Sequence, residues 1–164
     1  MYARFVSTDR TVENVWDYPR PPSIESSDER IVVELGGQII ADTTRSFRVC
    51  ETSRPPTYYL PVGAFADGVL RPAAGMSVCE WKGEASYLDL VTHDRSAVRA
   101  AWTYAAPRER FAALAGHVAL YPGHVDRCTI DGETVRAQDG DFYGGWITSR
   151  GTGPFKGAPG TTGW

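Results

Sequence analysis

The sequence predicts a mainly β domain of compact antiparallel sheets, barrel-like or folded over, with at most one or two short helices. Two observations carry this expectation. Apolar and β-branched residues come in short runs, and glycine, proline or an Asp-Gly pair closes nearly every run. Such frequent turns keep strands short and let sheets fold back on one another. With 164 residues the chain has room for one domain with a substantial core. We expect an extended N-terminal arm over residues 1–30 and a single β domain over 31–164.

In chain order, the arm carries Trp16-Asp17-Tyr18-Pro19-Arg20-Pro21-Pro22 and then a polar stretch to Glu29. Its prolines favour polyproline II geometry. Arg30 to Leu35 and Gln38 to Asp42 flank Gly36-Gly37 and read as a hairpin. Phe47 to Glu51 reads as a third strand that Pro55-Pro56 breaks, and Thr57 to Leu60 resumes an extended path. Val62 to Leu70 fits either a short helical turn or an irregular loop. Met76 to Trp81 and Glu84 to Val91 read as strands around a turn or bulge at Lys82-Gly83. Arg99 to Tyr104 is a further strand, and Pro107 to Leu114 can carry one short helix. His117 to Tyr121 and Val125 to Ile130 are strand-like, and Asp131-Gly132 turns into Glu133 to Arg136. Beyond Gln138 the chain is rich in Gly, Pro and Thr. The rings of Phe142, Tyr143, Trp146, Phe155 and Trp164 predict that at least residues 139–158 return to the body.

Charge and cysteine usage narrow the function classes. The formal charge is −3 with both signs interspersed, so no basic stripe supports nucleic-acid binding. No apolar run is long enough for a membrane span, and Met1 to Arg10 lacks the features of a secretory signal. A cytoplasmic location is the expectation. Cys50, Cys79 and Cys128 are isolated, form no zinc-ligand spacing and suit a reducing compartment. Cys50 and Cys128 read as small buried residues. We expect no structural metal and no cofactor. Phosphate loops, dinucleotide fingerprints, G-x-S-x-G and H-E-x-x-H are all missing from the sequence.

Short aromatic phrases remain as the functional signal. Each sets a large ring beside a proline or glycine that fixes or frees the backbone. Tyr58, Tyr59, Cys79, Trp81, Trp102, Tyr104, Tyr121 and Trp146 are the candidate ligand-binding residues of an aromatic pocket. Strand alternation puts Cys79 with Trp81, Trp102 with Tyr104, and Phe47, Val49 and Glu51 on shared faces. Glu51 is then a carboxylate on an apolar face, either buried with Lys82 or Arg48 as its partner, or exposed at a strand end. Lys82 could bind an anion, sit over a ring or face solvent. Lys156 in Gly-Pro-Phe-Lys-Gly has the same surroundings in sequence. If chemistry occurs, Glu51 and Lys82 are the candidate catalytic residues, as general base and electrostatic stabiliser. The two are expected to meet at the pocket floor. Cys79 is either a nucleophile or a core residue. His117 shares a strand face with Tyr121 and reads as structural or as a base, whereas His93 and His124 read as exposed. Asp139-Gly140-Asp141 is the minimum for a magnesium pair.

Several of these phrases recur together elsewhere. They are Trp-Asp-Tyr-Pro-Arg-Pro-Pro (16–22), Gly-Gly-x-Ile-Ile-Ala-Asp-Thr (36–43), Glu-Thr-Ser-x-Pro-Pro-x-Tyr-Tyr-x-Pro (51–61) and Cys-Glu-Trp-Lys-Gly (79–83). Ala-Trp-x-Tyr (101–104), Gly-His-Val-Ala-x-Tyr-Pro (116–122), Phe-Tyr-Gly-Gly-Trp (142–146) and Gly-Pro-Phe-Lys-Gly (153–157) follow. With them the chain resembles, from about Trp16 to Trp164, the bacterial and fungal family catalogued as domain of unknown function 427. The resemblance implies a mostly β fold like the β-tent group, which includes methionine sulfoxide reductases and the drug-binding domain of cereblon. Zinc sites of that wider group use paired cysteines, which this chain lacks. Leu120 replaces a usual aromatic, which implies a softer pocket wall. Three functions stand. The first is a small-molecule-binding domain with an aromatic pocket, with or without catalysis. The second is the nucleotidyltransferase of some catalogue labels, with Asp139 and Asp141 on magnesium. The third is a non-catalytic interaction module using the proline-rich arm.

Overall fold

A computed structural model describes residues 11–79, 81–140, 143–161 and 163–164. Among these residues fifteen strands follow in order: β1 (Glu13–Asn14), β2 (Ser23–Ser27), β3 (Ile31–Leu35), β4 (Gln38–Thr43), β5 (Ser46–Cys50), β6 (Thr57–Pro61), β7 (Leu70–Cys79) and β8 (Gly83–Val91). Then come β9 (Ser96–Thr103), β10 (His117–Leu120), β11 (Arg127–Ile130), β12 (Glu133–Thr134), β13 (Arg136–Ala137), β14 (Trp146–Ile147) and β15 (Gly151–Thr152). A seven-stranded sheet runs β2-β5-β6-β10-β9-β8-β7, and a four-stranded sheet runs β12-β11-β3-β4. The pairs β13-β14 and β1-β15 complete the set, the latter parallel. The protein is mainly β as predicted, but no sheet closes into a barrel.

Local sequence explains most of these elements. Gly36 and Gly37 turn the β3-β4 hairpin with φ of +61° and +77°, both in the left-handed region that a tight hairpin turn requires. Asp131-Gly132 does the same between β11 and β12. The expected third strand pairs with β2 and β6, so it leaves the hairpin's sheet and joins the larger one. Arg45 N donates to Thr43 Oγ1 at 2.9 Å and fixes that crossover. The strand expected from Met76 starts earlier, at Leu70, with an irregular register between Pro72 and Met76. Helical structure among the described residues is limited to short 3-10 segments. Glu109–Leu114, where a helix was expected, is the longest, beside Val15–Asp17, Val62–Ala64 and Pro122–His124. No helix among the described residues is long and apolar enough to cross a membrane.

Two apolar clusters use the two faces of the large sheet. In β10, Val118 and Leu120 enter the core shared with the small sheet, where Ile31, Val33, Leu60 and Ile130 lie, whereas Ala119 joins the opposite cluster. This is the period-two alternation of a strand buried on both faces. Each buried Leu or Ile contributes roughly 1.5–3 kcal/mol of apolar transfer. Leu120 therefore belongs to the inter-sheet core, not to a pocket wall. Cys50 and Cys128 are free and buried, and burial pushes both thiols up to about 12.

The N-terminal segment is held to this body by charge. Arg48 is only 2% exposed and meets Glu13 at 2.9 Å and Glu25 at 2.6 Å. Arg150 pairs with Glu13 at 3.4 Å and Glu29 at 3.2 Å. Tyr18 Oη donates to Glu13 and Tyr58 Oη to Glu29. This network joins residues 13–29, strands β5 and β6 of the large sheet and β15's neighbour Arg150. Burial and hydrogen bonds to carboxylates push both phenols well above their ordinary value.

Candidate functional site

Register builds the site. Tyr87, Trp102, Ala119, Tyr59 and Phe47 are successive cross-strand partners through β8, β9, β10, β6 and β5. Partners in register project to the same face, so four rings stand in one row with a small residue at its middle. Trp102 and Tyr59 meet edge to face at 6.4 Å, and Trp102 Nε1 donates to Tyr59 Oη at 3.3 Å. Tyr121 lies against Trp102 at 4.6 Å, and Tyr104 lies 6.3 Å from Tyr59. Over this row is a cleft of about 300 Å³.

Most of the predicted site residues come together here. Tyr59, Cys79, Trp81, Trp102, Tyr104 and Tyr121 line the cleft, and so do Glu51 and Lys82. Tyr58 and Trp146 do not. They lie on the opposite face of the sheet, with ring centroids 5.2 Å apart, in the inter-sheet core. Tyr58 and Tyr59 are consecutive in one strand, so alternation sends them to opposite sides. Trp146 is fixed by its main-chain N–H to Pro56 O at 2.8 Å and its indole N–H to Leu120 O at 3.4 Å. Tyr143, from the same phrase, does line the cleft.

Glu51 is buried, at 8% exposure, and it is paired, but not with the expected partners. Its oxygens meet Arg20 Nε at 3.6 Å and Arg54 Nη1 at 3.4 Å. Arg48, three residues earlier and inside β5, points to the other face, into the network with Glu13 and Glu25. Lys82 shares the cleft with Glu51, but its ammonium lies 5.9 Å from the Phe111 ring centroid and forms no ion pair with Glu51. The Lys82 carbonyl accepts from Arg108 N at 2.9 Å, which holds the turn between β7 and β8.

Lys156, similar to Lys82 in sequence, is placed differently. It is buried, donates to the Trp164 main-chain oxygen at 3.2 Å and lies 5.7 Å from the Tyr143 ring centroid. Burial, then the charges of Arg54 and Arg20, push its pKa down, with Glu51 opposing. Arg54 lies 5.5 Å from the centroid of the same Tyr143 ring. His117 rests on Phe47 at 4.9 Å with Nδ1 3.0 Å from Ala115 O, a structural placement. His93 and His124 are exposed.

Three phenols of the cleft, Tyr59, Tyr104 and Tyr121, are held neutral at physiological pH. Burial pushes Tyr59 and Tyr104 far above the ordinary tyrosine value, and burial with the Tyr87 hydroxyl pushes Tyr121 up to about 12. They act as hydrogen-bonding groups, not as bases.

Sequence reasoning missed Arg54, Tyr87, Tyr143 and Gly144, all of which line the cleft. Tyr87 enters only through its register with Trp102, which one strand read alone does not reveal. Gly144 lies flat on the Trp102 ring, where any side chain would collide. Asp139 is exposed, and Asp141 lies outside the described residues. Among the described residues no three His, Cys, Asp or Glu side chains gather as a metal site.

No curated protein matches the chain at a significant level. The family described as a domain of unknown function, DUF427, matches residues 23–131, well over half of the sequence. The matched segment holds the whole ring row and Lys82, while the phrases at 142–146 and 153–157 fall outside it. The chain belongs to the DUF427 family.

Proposed function

We propose that this protein is a small-molecule-binding domain and that the aromatic cleft is its binding element. The single observation that carries the reading is the ring row in register beneath an open volume of about 300 Å³. That volume lies at the lower end of those that hold small ligands. A few polar groups among apolar walls match the usual design of such sites, and Glu51, Arg54, Thr57, Ser77 and Lys82 supply them. Free, isolated cysteines suit a cytoplasmic setting. A catalytic role for Glu51 as base requires one of its two arginines to yield a carboxylate oxygen. Lys82 would then stabilise developing negative charge.

The nucleotidyltransferase label attached to the family is the second reading. It calls for paired carboxylates on magnesium. The two Glu51 oxygens face guanidinium groups and Asp139 is exposed, so the described geometry favours the cleft reading. The test is a titration of mixed aromatic fragments followed by indole N–H resonances. Fragments that move Trp81 and Trp102 while leaving Trp146 in place support the proposal. Fragments that move none of the three, or that move Trp146 equally, overturn it.

A further inference from the structure

We propose that the cleft selects planar aromatic molecules bearing one anionic group, a carboxylate or a phosphate monoester, with Lys82 as the anion anchor. This rests on the small-molecule reading above and adds the ligand's charge and its anchor. Among the described residues three ionised side chains line the cleft: Glu51, Arg54 and Lys82. Glu51 and Arg54 answer each other at 3.4 Å, and Arg20 gives Glu51 a second cation. Among the described residues Lys82 has no carboxylate within ion-pair distance and only the Phe111 ring beneath its ammonium.

Glu51 with its two arginines carries one net positive charge, and Lys82 adds a second, half-buried and without a carboxylate among the described residues, at the edge of an aromatic wall. A ring face compensates an ammonium only partly, and a carboxylate does so more strongly where water is excluded. Tyr59, Tyr104 and Tyr121 add no negative charge, because burial keeps them protonated, and a phenol can donate a hydrogen bond to an anion. The rings of Trp102, Tyr121 and Tyr59 offer stacking and edge contacts to a planar body. A cationic ring would instead set its charge against Lys82 and against a Glu51 already held by two arginines.

The test uses four ring probes of one shape at fixed ionic strength: 2-naphthoate, 2-naphthyl phosphate, 2-naphthamide and 2-naphthylmethylammonium. Dissociation constants are read from the Trp81 and Trp102 indole resonances. The better of the two anions is expected to bind at least about tenfold more tightly than the amide, with the ammonium weakest. Which anion leads distinguishes a phosphate-ester ligand from a carboxylate. Lys82→Met should erase the preference for the anion while amide binding persists, and Lys82→Arg should keep it. An amide or ammonium that equals the anions, or a preference that survives Lys82→Met, overturns the anchor while leaving the cleft reading intact. Failure of all four probes to move Trp81 or Trp102 removes the cleft reading and the preference with it.

Discussion

Tyr58 and Tyr59 are neighbours in one strand, yet they face two different solutions to burying polar groups. On the Tyr58 side, two guanidiniums and three carboxylates interlock around Arg48, and the residual cavity is only about 10 Å³. On the Tyr59 side, rings hold one another apart around a cleft of about 300 Å³. The physical difference is satisfaction. A buried ion needs opposite charge close by, which draws the arm and Arg150 inward and fills space. Ring edges and faces need no such closure, so a row of them can stand open. The filled face holds the molecule together, and the open face is where a ligand has room.

Opening the ionic face should have the largest effect on the molecule. Arg48→Met strands Glu13 and Glu25 without their principal cation, and we expect a loss of about 3–5 kcal/mol in urea unfolding. A loss under about 1 kcal/mol would mean that the network is ornamental and that the contrast between the faces is false. Next in size, Gly144→Ala drives a methyl group into the Trp102 ring. We expect about 1–3 kcal/mol of destabilisation and a displaced Trp102 indole resonance, with Trp146 unmoved. An unperturbed Trp102 would show that the close contact does not shape the cleft.

The open face was more legible than the closed one. Alternation alone placed Trp102 with Tyr104 and Phe47 with Val49, and the structure puts all four in one apolar cluster. The same rule separates Tyr58 from Tyr59 and Arg48 from Glu51, so grouping residues by ring content or charge was the weaker guide. Cross-strand register was not legible, since the pairing of Tyr87 with Trp102 depends on a hairpin whose register shifts between Leu88 and Leu90. Glu51's arginines were not legible either. Arg20 reaches it only because the arm folds back across the sheet, where Thr52 N donates to Pro19 O at 3.3 Å.

Acid offers a graded test of the closed face. Burial pulls the Glu13 carboxyl up, but hydrogen bonds from Arg48 and Tyr18, with the charges of Arg48 and Arg150, leave it below the ordinary carboxylate value. The unfolded state therefore binds more protons between the two pKa values. Glu13's contribution is complete above the unfolded pKa and is lost as pH falls through the folded one. Glu25 and Glu29 share the network, so Glu13→Gln should flatten the acid limb of stability without abolishing it. Equal slopes in variant and parent would contradict this. The smallest effect belongs to Tyr59→Phe, which removes the acceptor for the Trp102 indole and should cost about 0.5–1.5 kcal/mol. A change in unfolding midpoint too small to resolve would mean that this bond does not hold Trp102 upright.

A crystal soaked in a mixture of small aromatic acids and amides tests the open cleft as a binding site most directly. We expect electron density over Trp102 and Tyr59, with an acidic group toward Lys82, and none between Tyr58, Trp146 and Arg48. Density on the Arg48 face, or a cleft empty at saturating concentration while the soak is verified elsewhere, would contradict it.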